Sequence, residues 1–324
     1  MEKSRVRFNV NKLIFWNTGG HSNLFNFLNY NEDFLNNKFC ILCFVETWLE
    51  RPPALNQFIA NEYYCVSSNA FRNSEGRGRS SGGVLALFSK KFFNLEVIDI
   101  TRFWIFIKLI SNTKVTFVLG VVYFPPSLSH RSCFDKLDAL IEEYHLDSNR
   151  RILIVGDFNA RIGNLNQIDS FFMNGSPFST DRLPLDGGVN ERGVRFGSFL
   201  EDRGLMVLNG RSPSDTPGKF TFVSHLGKST VDLAVINYDS LDIVVDSGVH
   251  YLELGEHFQY FVDLDIGATM EPDVGFLSFS KLFWNESLKV FYNHLLSSRM
   301  VALDLIHCDA AVAFEGFTES ILDA

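Results

Sequence analysis

Apolar residues in this chain come in short unbroken runs, each ended by a polar residue, a glycine or a proline. Runs at 12–16 (KLIFW), 39–45 (FCILCFV), 84–88, 104–110, 115–123 and 152–155 (ILIV) read as strands, because runs of roughly four to eight apolar residues between turn signals suit buried strands. Less regular strands are expected at 62–68, 95–100, 205–208, 229–236 and 258–264. Helical spacing replaces this pattern in three places. Leu24, Phe27, Leu28 and Phe34 predict a helix over 21–36. Phe134, Leu137, Leu140 and Ile141 predict one over 131–146. Val194, Phe196 and Phe199 predict one over 190–200. Strands interleaved with helices point to an α/β fold. A glycine-rich stretch at 76–83 (GRGRSSGG) lacks the lysine of a P-loop and reads as a hairpin tip.

Composition sharpens this picture. The chain has 324 residues, 46% of them hydrophobic, with 33 Phe, so a large core is available and disorder is excluded. No apolar stretch is long enough to cross a membrane as a helix, and the N-terminus lacks the apolar run of a signal peptide. Five scattered cysteines, an odd number, suit a reducing compartment, so an intracellular protein of nucleus or cytoplasm is expected. Cys40 and Cys43 look like a metal-binding pair. On a strand, however, an odd separation sends them to opposite faces, and no second pair follows at zinc spacing, so two buried strand cysteines are expected. The net charge of −9 is awkward for a nucleic-acid binder, yet a local patch can supply phosphate contacts. Arg72, Arg77, Arg79, Lys90 and Lys91 form the best such patch, and a solvated hairpin tip is its plainer reading.

The polar residues that end the strands carry the candidate chemistry. Gly156 is expected to break the run at 152–155. Asp157 and Asn159 follow on one side, and Phe158 faces the other way, into the core. Asp157 offers a base or a metal ligand, and Asn159 an amide able to hold a water or a phosphoryl oxygen. Asn17 follows the first strand, where it is either a helix cap or a site residue. Glu46 ends the second strand, a carboxylate suited to a hard divalent cation. Tyr123 stands before Phe124-Pro125-Pro126, either as a rim aromatic or with its hydroxyl toward a phosphate. Asp232 lies inside the apolar run at 229–236, where an unpaired carboxylate is costly and a partner is expected.

The segment 156–161, GDFNAR, resembles the signature of the endonuclease/exonuclease/phosphatase superfamily, and in its longer form most resembles the apurinic-type endonuclease domain of non-LTR (LINE-type) retrotransposons. Asn17, Glu46, Tyr123 before Pro-Pro, Asp157 with Asn159, Asp232 and Glu256-His257 occur in the family's order across residues 12–266. The resemblance implies a four-layer α/β sandwich of the DNase I type, two packed mixed sheets flanked by helices. It also implies Mg²⁺-dependent hydrolysis of phosphodiesters in duplex DNA, with Mn²⁺ able to replace Mg²⁺. Glu46 would hold the metal, with Asn17 beside it. Asp157 would deprotonate a water that Asn159 positions. Tyr123, Thr221 and His257 would hold phosphoryl oxygens, and Arg77 and Arg79 the DNA backbone.

One motif departs from the pattern. Where the family has Ser-Asp-His, this chain has Gly255-Glu256-His257. If the carboxylate before the histidine orients the imidazole, the added methylene of Glu256 predicts a slow enzyme. Two alternatives stand beside the nuclease: a catalytically impaired remnant serving as a binding module, and a phosphatase or phosphodiesterase of the same superfamily. The resemblance ends near residue 266. Residues 267–275 read as a linker, and 276–324 as a helical extension with a helix over 282–298. The expected organisation is thus a domain over 1–266, the linker, and the extension. Nothing in the sequence sets an oligomeric state.

Overall fold

A computed structural model of the chain describes residues 11–30, 39–72, 78–146, 150–173, 176–251 and 255–267. The stretch expected to form the C-terminal helical extension, most of the expected linker and Arg77 lie outside the described residues. The strands are β1 (Asn11–Asn17), β2 (Phe39–Val45), β3 (Tyr63–Ser68), β4 (Val84–Ser89), β5 (Phe93–Ile100), β6 (Trp104–Ser111), β7 (Thr116–Tyr123), β8 (Arg151–Asp157), β9 (Leu205–Val207), β10 (Phe222–Ser224), β11 (Gly227–Ser229), β12 (Asp232–Asn237), β13 (Val244–His250) and β14 (Gln259–Leu264). The α-helices are α1 (His21–Tyr30), α2 (Gln57–Glu62), α3 (His130–Glu143) and α4 (Glu191–Asp202).

Two six-stranded sheets form, in the orders β13-β14-β1-β2-β4-β3 and β5-β6-β7-β8-β12-β9. Each contains one parallel pair, β1–β2 and β7–β8, so both are mixed. The apolar runs explain the stacking. In β1, Leu13 and Phe15 enter the core between the sheets, while Ile14 and Trp16 face outward against Leu24, Phe27 and Leu28 of α1. In β8, Leu153 and Val155 point inward, and Ile152 and Ile154 meet α3 and α4. A strand apolar on both faces must be covered on both. The result is the expected four-layer sandwich.

Several expectations need correcting. Gly156 does not end β8, which runs on to Asp157. A Cβ at Gly156 would stand 2.3 Å from the Val122 carbonyl oxygen, so the glycine lets β7 and β8 approach. Cys40 and Cys43 are both buried, but they share the inter-sheet core because the register slips between Lys12 and Leu13. Val194 is 56% exposed; α4 buries Phe196 and Phe199 as expected, with Leu200 in place of Val194. The run at 229–236 is two elements: β11 ends at Ser229, and Asp232 is the first residue of β12. The break arises because the Thr221 hydroxyl takes the N–H groups of Val231 and Asp232, at 3.1 and 3.0 Å. β13 was not anticipated. Its residues, VVDSGVH, alternate poorly in hydrophobicity, and it is a strand because β14 supplies an antiparallel partner.

Candidate active site

The site forms where strand ends from both sheets meet. Asn17 and Glu46 stand at the ends of the parallel strands β1 and β2, and His257 precedes β14, which runs antiparallel to β1. The second sheet contributes Tyr123 at the end of β7, Asp157 at the end of β8 and Asp232 at the start of β12. Asp157 lies beside both others in register.

The polar contacts join these residues into one cluster. Asn17 Nδ2 donates to Asp157 Oδ2 at 2.9 Å, and Asn17 Oδ1 accepts the Gly19 N–H at 3.0 Å, so this asparagine is both turn cap and site residue. His257 Nδ1 meets Asp232 Oδ2 at 2.8 Å. Asp232 Oδ1 is buried without a hydrogen-bond partner. The Tyr123 hydroxyl donates to Glu46 Oε1. Ligand atoms of Asp157, Asp232 and His257 all lie within 4.8 Å of one another.

Two carboxylates facing each other across a sheet oppose each other's ionisation. Burial, and then Asp232, push the Asp157 carboxyl up to about 7, although His257, the Asn159 N–H and Asn17 pull the other way. Burial alone would lower His257. Asp232, its direct partner, together with Asp157 and Glu46, outweighs burial and raises the imidazole to about 9. Burial and Glu46 also raise the Tyr123 phenol well above its usual range, which keeps it a neutral donor.

Neighbouring residues fix the strand ends. Asn159 takes a left-handed backbone, φ 50°; its N–H bonds Asp157 Oδ1 at 2.9 Å and its Nδ2 bonds the Phe124 carbonyl at 3.1 Å. Glu46 is also left-handed, φ 52°, in a turn whose next two N–H groups bond Gly83 and Gly82 carbonyls. A Cβ on Gly83 would meet the Thr47 hydroxyl at 2.5 Å, so this loop and the metal-ligand candidate are packed together. Phe124 and Phe158, each following a site residue, join a ring cluster with Phe134 and Phe196, including Phe158–Phe196 at 4.6 Å. Each such pair adds about 0.5–1.5 kcal/mol beyond area burial.

Two candidates sit elsewhere than expected. The Glu256 side chain is exposed, and only its carbonyl is used, by Val223 N–H. Asp232 orients His257 instead, because the first residue of β12 brings its carboxylate 2.8 Å from the ring's Nδ1. Thr221 is fully buried with its oxygen occupied by two backbone N–H groups, so it shapes the start of β12 and does not face a phosphate. Arg79 is exposed, its guanidinium 4.3 Å over the Trp48 ring.

Residues that sequence reasoning missed support the site from behind. Arg192, in the first turn of α4, is buried and donates to the carbonyls of Phe124, Pro125, Pro126 and Leu128 after β7 and of Phe158 after β8. Asn190 caps α4 through the Gly193 N–H at 2.7 Å and bonds the Asn159 carbonyl at 3.2 Å. Trp16 Nε1 holds the His257 carbonyl at 2.9 Å. The available signal was an arginine on the apolar face of a helix, four residues before Phe196, where a buried guanidinium needs many acceptors.

Comparison with known proteins settles the family. The model of the endonuclease/exonuclease/phosphatase family matches residues 9–253. The chain belongs to that family. The family comprises nucleases and phosphatases, so hydrolysis of phosphoesters is the general activity. No curated protein matches the sequence. Among solved structures, the endonuclease domain of TRAS1, a telomere-specific non-LTR retrotransposon, is similar with TM-score 0.54 and 14% identity, covering 80% of this chain and 100% of that one. A 3′-5′ exonuclease from Neisseria meningitidis is similar with TM-score 0.53 and 15% identity, covering 78% and 99%. The AP endonuclease LMAP from Leishmania major gives 0.53 and 14%, covering 79% and 88%. At these identities the likeness shows a shared fold. No helix among the described residues is long and apolar enough to cross a membrane.

Proposed function

We propose that this protein is a divalent-metal-dependent endonuclease that nicks duplex DNA in the manner of retroelement endonuclease domains. The observation that carries the reading is the cluster of Asp157, Asp232 and His257, with Glu46 and Asn17 tied to it through Tyr123 and Asp157. Its donor set fits a hard cation such as Mg²⁺ or Mn²⁺: carboxylate oxygens predominate, and one of them is buried with no partner. Glu46, with Asn17 beside it, and the free oxygen of Asp232 would hold the ion. When bound, the ion would polarise the phosphoryl oxygen and stabilise the leaving oxyanion.

The chain's own groups do the rest. Asp157 accepts the proton of the attacking water. Asp232 fixes the His257 ring through Nδ1, which leaves Nε2 to donate to a phosphoryl oxygen as charge develops there. Tyr123, a neutral donor beside Glu46, donates to a second one. Because Asp232 and not Glu256 orients the imidazole, Glu256 gives no reason to expect slowed chemistry. This favours an enzyme over an inert remnant.

Supercoiled plasmid incubated with the protein tests the reading. Nicking is expected with Mg²⁺ or Mn²⁺ and none in EDTA. Undiminished nicking in EDTA, or release of phosphate from a terminal phosphomonoester with no nicking, would overturn it.

A further inference from the structure

The chain is acidic, and many of its described surface cations pair with carboxylates: Lys12 with Asp263, Arg72 with Glu50, Arg151 with Asp242, Arg195 with Asp135 and Arg203 with Asp138. Arg79, Arg102 and Lys136 are exposed and have no carboxylate partner among the described residues. Each lies against an aromatic face instead. Arg79 is 4.3 Å over Trp48, Arg102 is 4.5 Å from Phe103 and 5.8 Å from Phe71, and Lys136 is 5.5 Å from Phe103.

These cations line two clefts that share Arg102 and Phe103. The first, about 400 Å³, contains Arg79 and opens beside the site residue Tyr123. Phe71 lines it and is 52% exposed, an unusual position for a ring in a chain that buries so many of them. The second cleft, about 470 Å³, continues to Lys136 and Tyr144. It also carries Asp99, held by Trp104 Nε1 at 2.7 Å, and Glu143, which balance Arg102 and Lys136, so the excess of cations lies in the first cleft, where Arg79 and Arg102 face no lining carboxylate.

We propose that this track binds a single-stranded stretch of DNA that flanks the phosphate held at Tyr123. The inference rests on the nuclease reading and adds the form of the substrate. Cations beside exposed rings are what a single strand needs: the cations meet the backbone, and the rings take the faces of unstacked bases. In a duplex those faces are already stacked on one another and are not free to meet the rings. The net negative charge of the chain adds direction, since it favours phosphates at Arg79 and Arg102 over most of the remaining surface.

The test is binding of the full chain, in EDTA to prevent turnover, to a fluorescein-labelled blunt duplex and to the same duplex carrying an oligo(dT) tail at its 3′ or its 5′ end. One tail polarity is expected to tighten binding about tenfold, within the range of base–aromatic stacking. Phe71→Ala and Arg102→Ala should each remove most of that gain and cost the blunt duplex much less. Phe71→Leu, which keeps an apolar side chain but no ring, should behave like Phe71→Ala. Arg195→Ala, on α4 and ion-paired, should keep the gain. Equal binding of tailed and blunt DNA, or variants that weaken both alike, would overturn the single-strand track and leave the duplex nuclease standing. Binding to none of the three DNAs would overturn both.

Discussion

Two clusters of buried charge lie in this domain, and they are built on opposite rules. Arg182 and Arg211, both nearly fully buried, are surrounded by backbone carbonyls. Arg182 reaches those of Gly163, Leu165 and Asn209 at 2.8–3.0 Å, and Arg211 those of Val207, Ser179, Thr180 and Asn166. Nearby Asp215 accepts the N–H groups of Gly210 and Lys219, each at 3.1 Å. Burial lowers both guanidinium groups only to about 10, so they stay charged at neutral pH. This cluster is a staple for the long connection between β8 and β12, whose carbonyls have few regular partners. At the site the reverse holds. Two carboxylates face each other, one oxygen has no partner, and an imidazole is held between acids. A satisfied cluster adds stability, whereas an unsatisfied one stores affinity for whatever completes it.

The largest effect separates the two at once. Asp157→Asn is expected to reduce plasmid nicking by about a thousandfold or more, the scale of losing a general base. It should leave the thermal midpoint the same or higher, because a repulsive buried charge is gone. A variant that unfolds would merge the two clusters into one structural role. The mirror experiment is Arg182→Met, which strands three buried carbonyls and should destabilise by about 3 kcal/mol or more. Denaturant unfolding reads it, and a stable Arg182→Met protein would remove the staple from the comparison.

Arg192 sits between the extremes, since it is satisfied like the staple but its carbonyls belong to the site loops. Arg192→Lys should lower kcat about tenfold with KM little changed, because a misplaced Tyr123 or Asp157 harms the transition state more than binding. Equal changes in both constants would make it a merely structural residue.

Asp215 supplies a pH test of the staple. Burial raises its carboxyl from 3.8 to about 6 against the pull of the Lys219 and Gly210 N–H groups. Between those values Asp215 holds more protons in the folded state than in the unfolded one, so its contribution to stability falls as pH rises from about 4 to 6 and is level above. The fall is at most about 3 kcal/mol. Urea midpoints across this window should show it in the parent, and Asp215→Asn should lack that component. The smallest effect is at Glu256. Glu256→Ala should nick within about twofold of the parent, since the side chain is exposed and Asp232 holds the histidine. A tenfold loss would return Glu256 to the site.

Much of the molecule was readable without coordinates. Unbroken apolar runs such as 152–155 report strands covered on both faces, and the two-sheet sandwich was implied by the family resemblance of GDFNAR and the order of the site residues. Polar residues at run ends, Asn17, Glu46, Tyr123 and Asp157, were legible because an apolar strand has no packing reason to end in them. What local pattern could not supply was partnership. Glu256 adjoins His257 in sequence, yet its side chain is exposed, and Asp232, 25 residues away, meets the ring from the other sheet. The roles of Thr221 and Arg192 depend in the same way on which carbonyls and N–H groups distant segments leave exposed. So do the slip that puts Cys40 and Cys43 in one core and the strand β13. Periodicity records which face of an element is buried; only the packed chain decides what is buried against it.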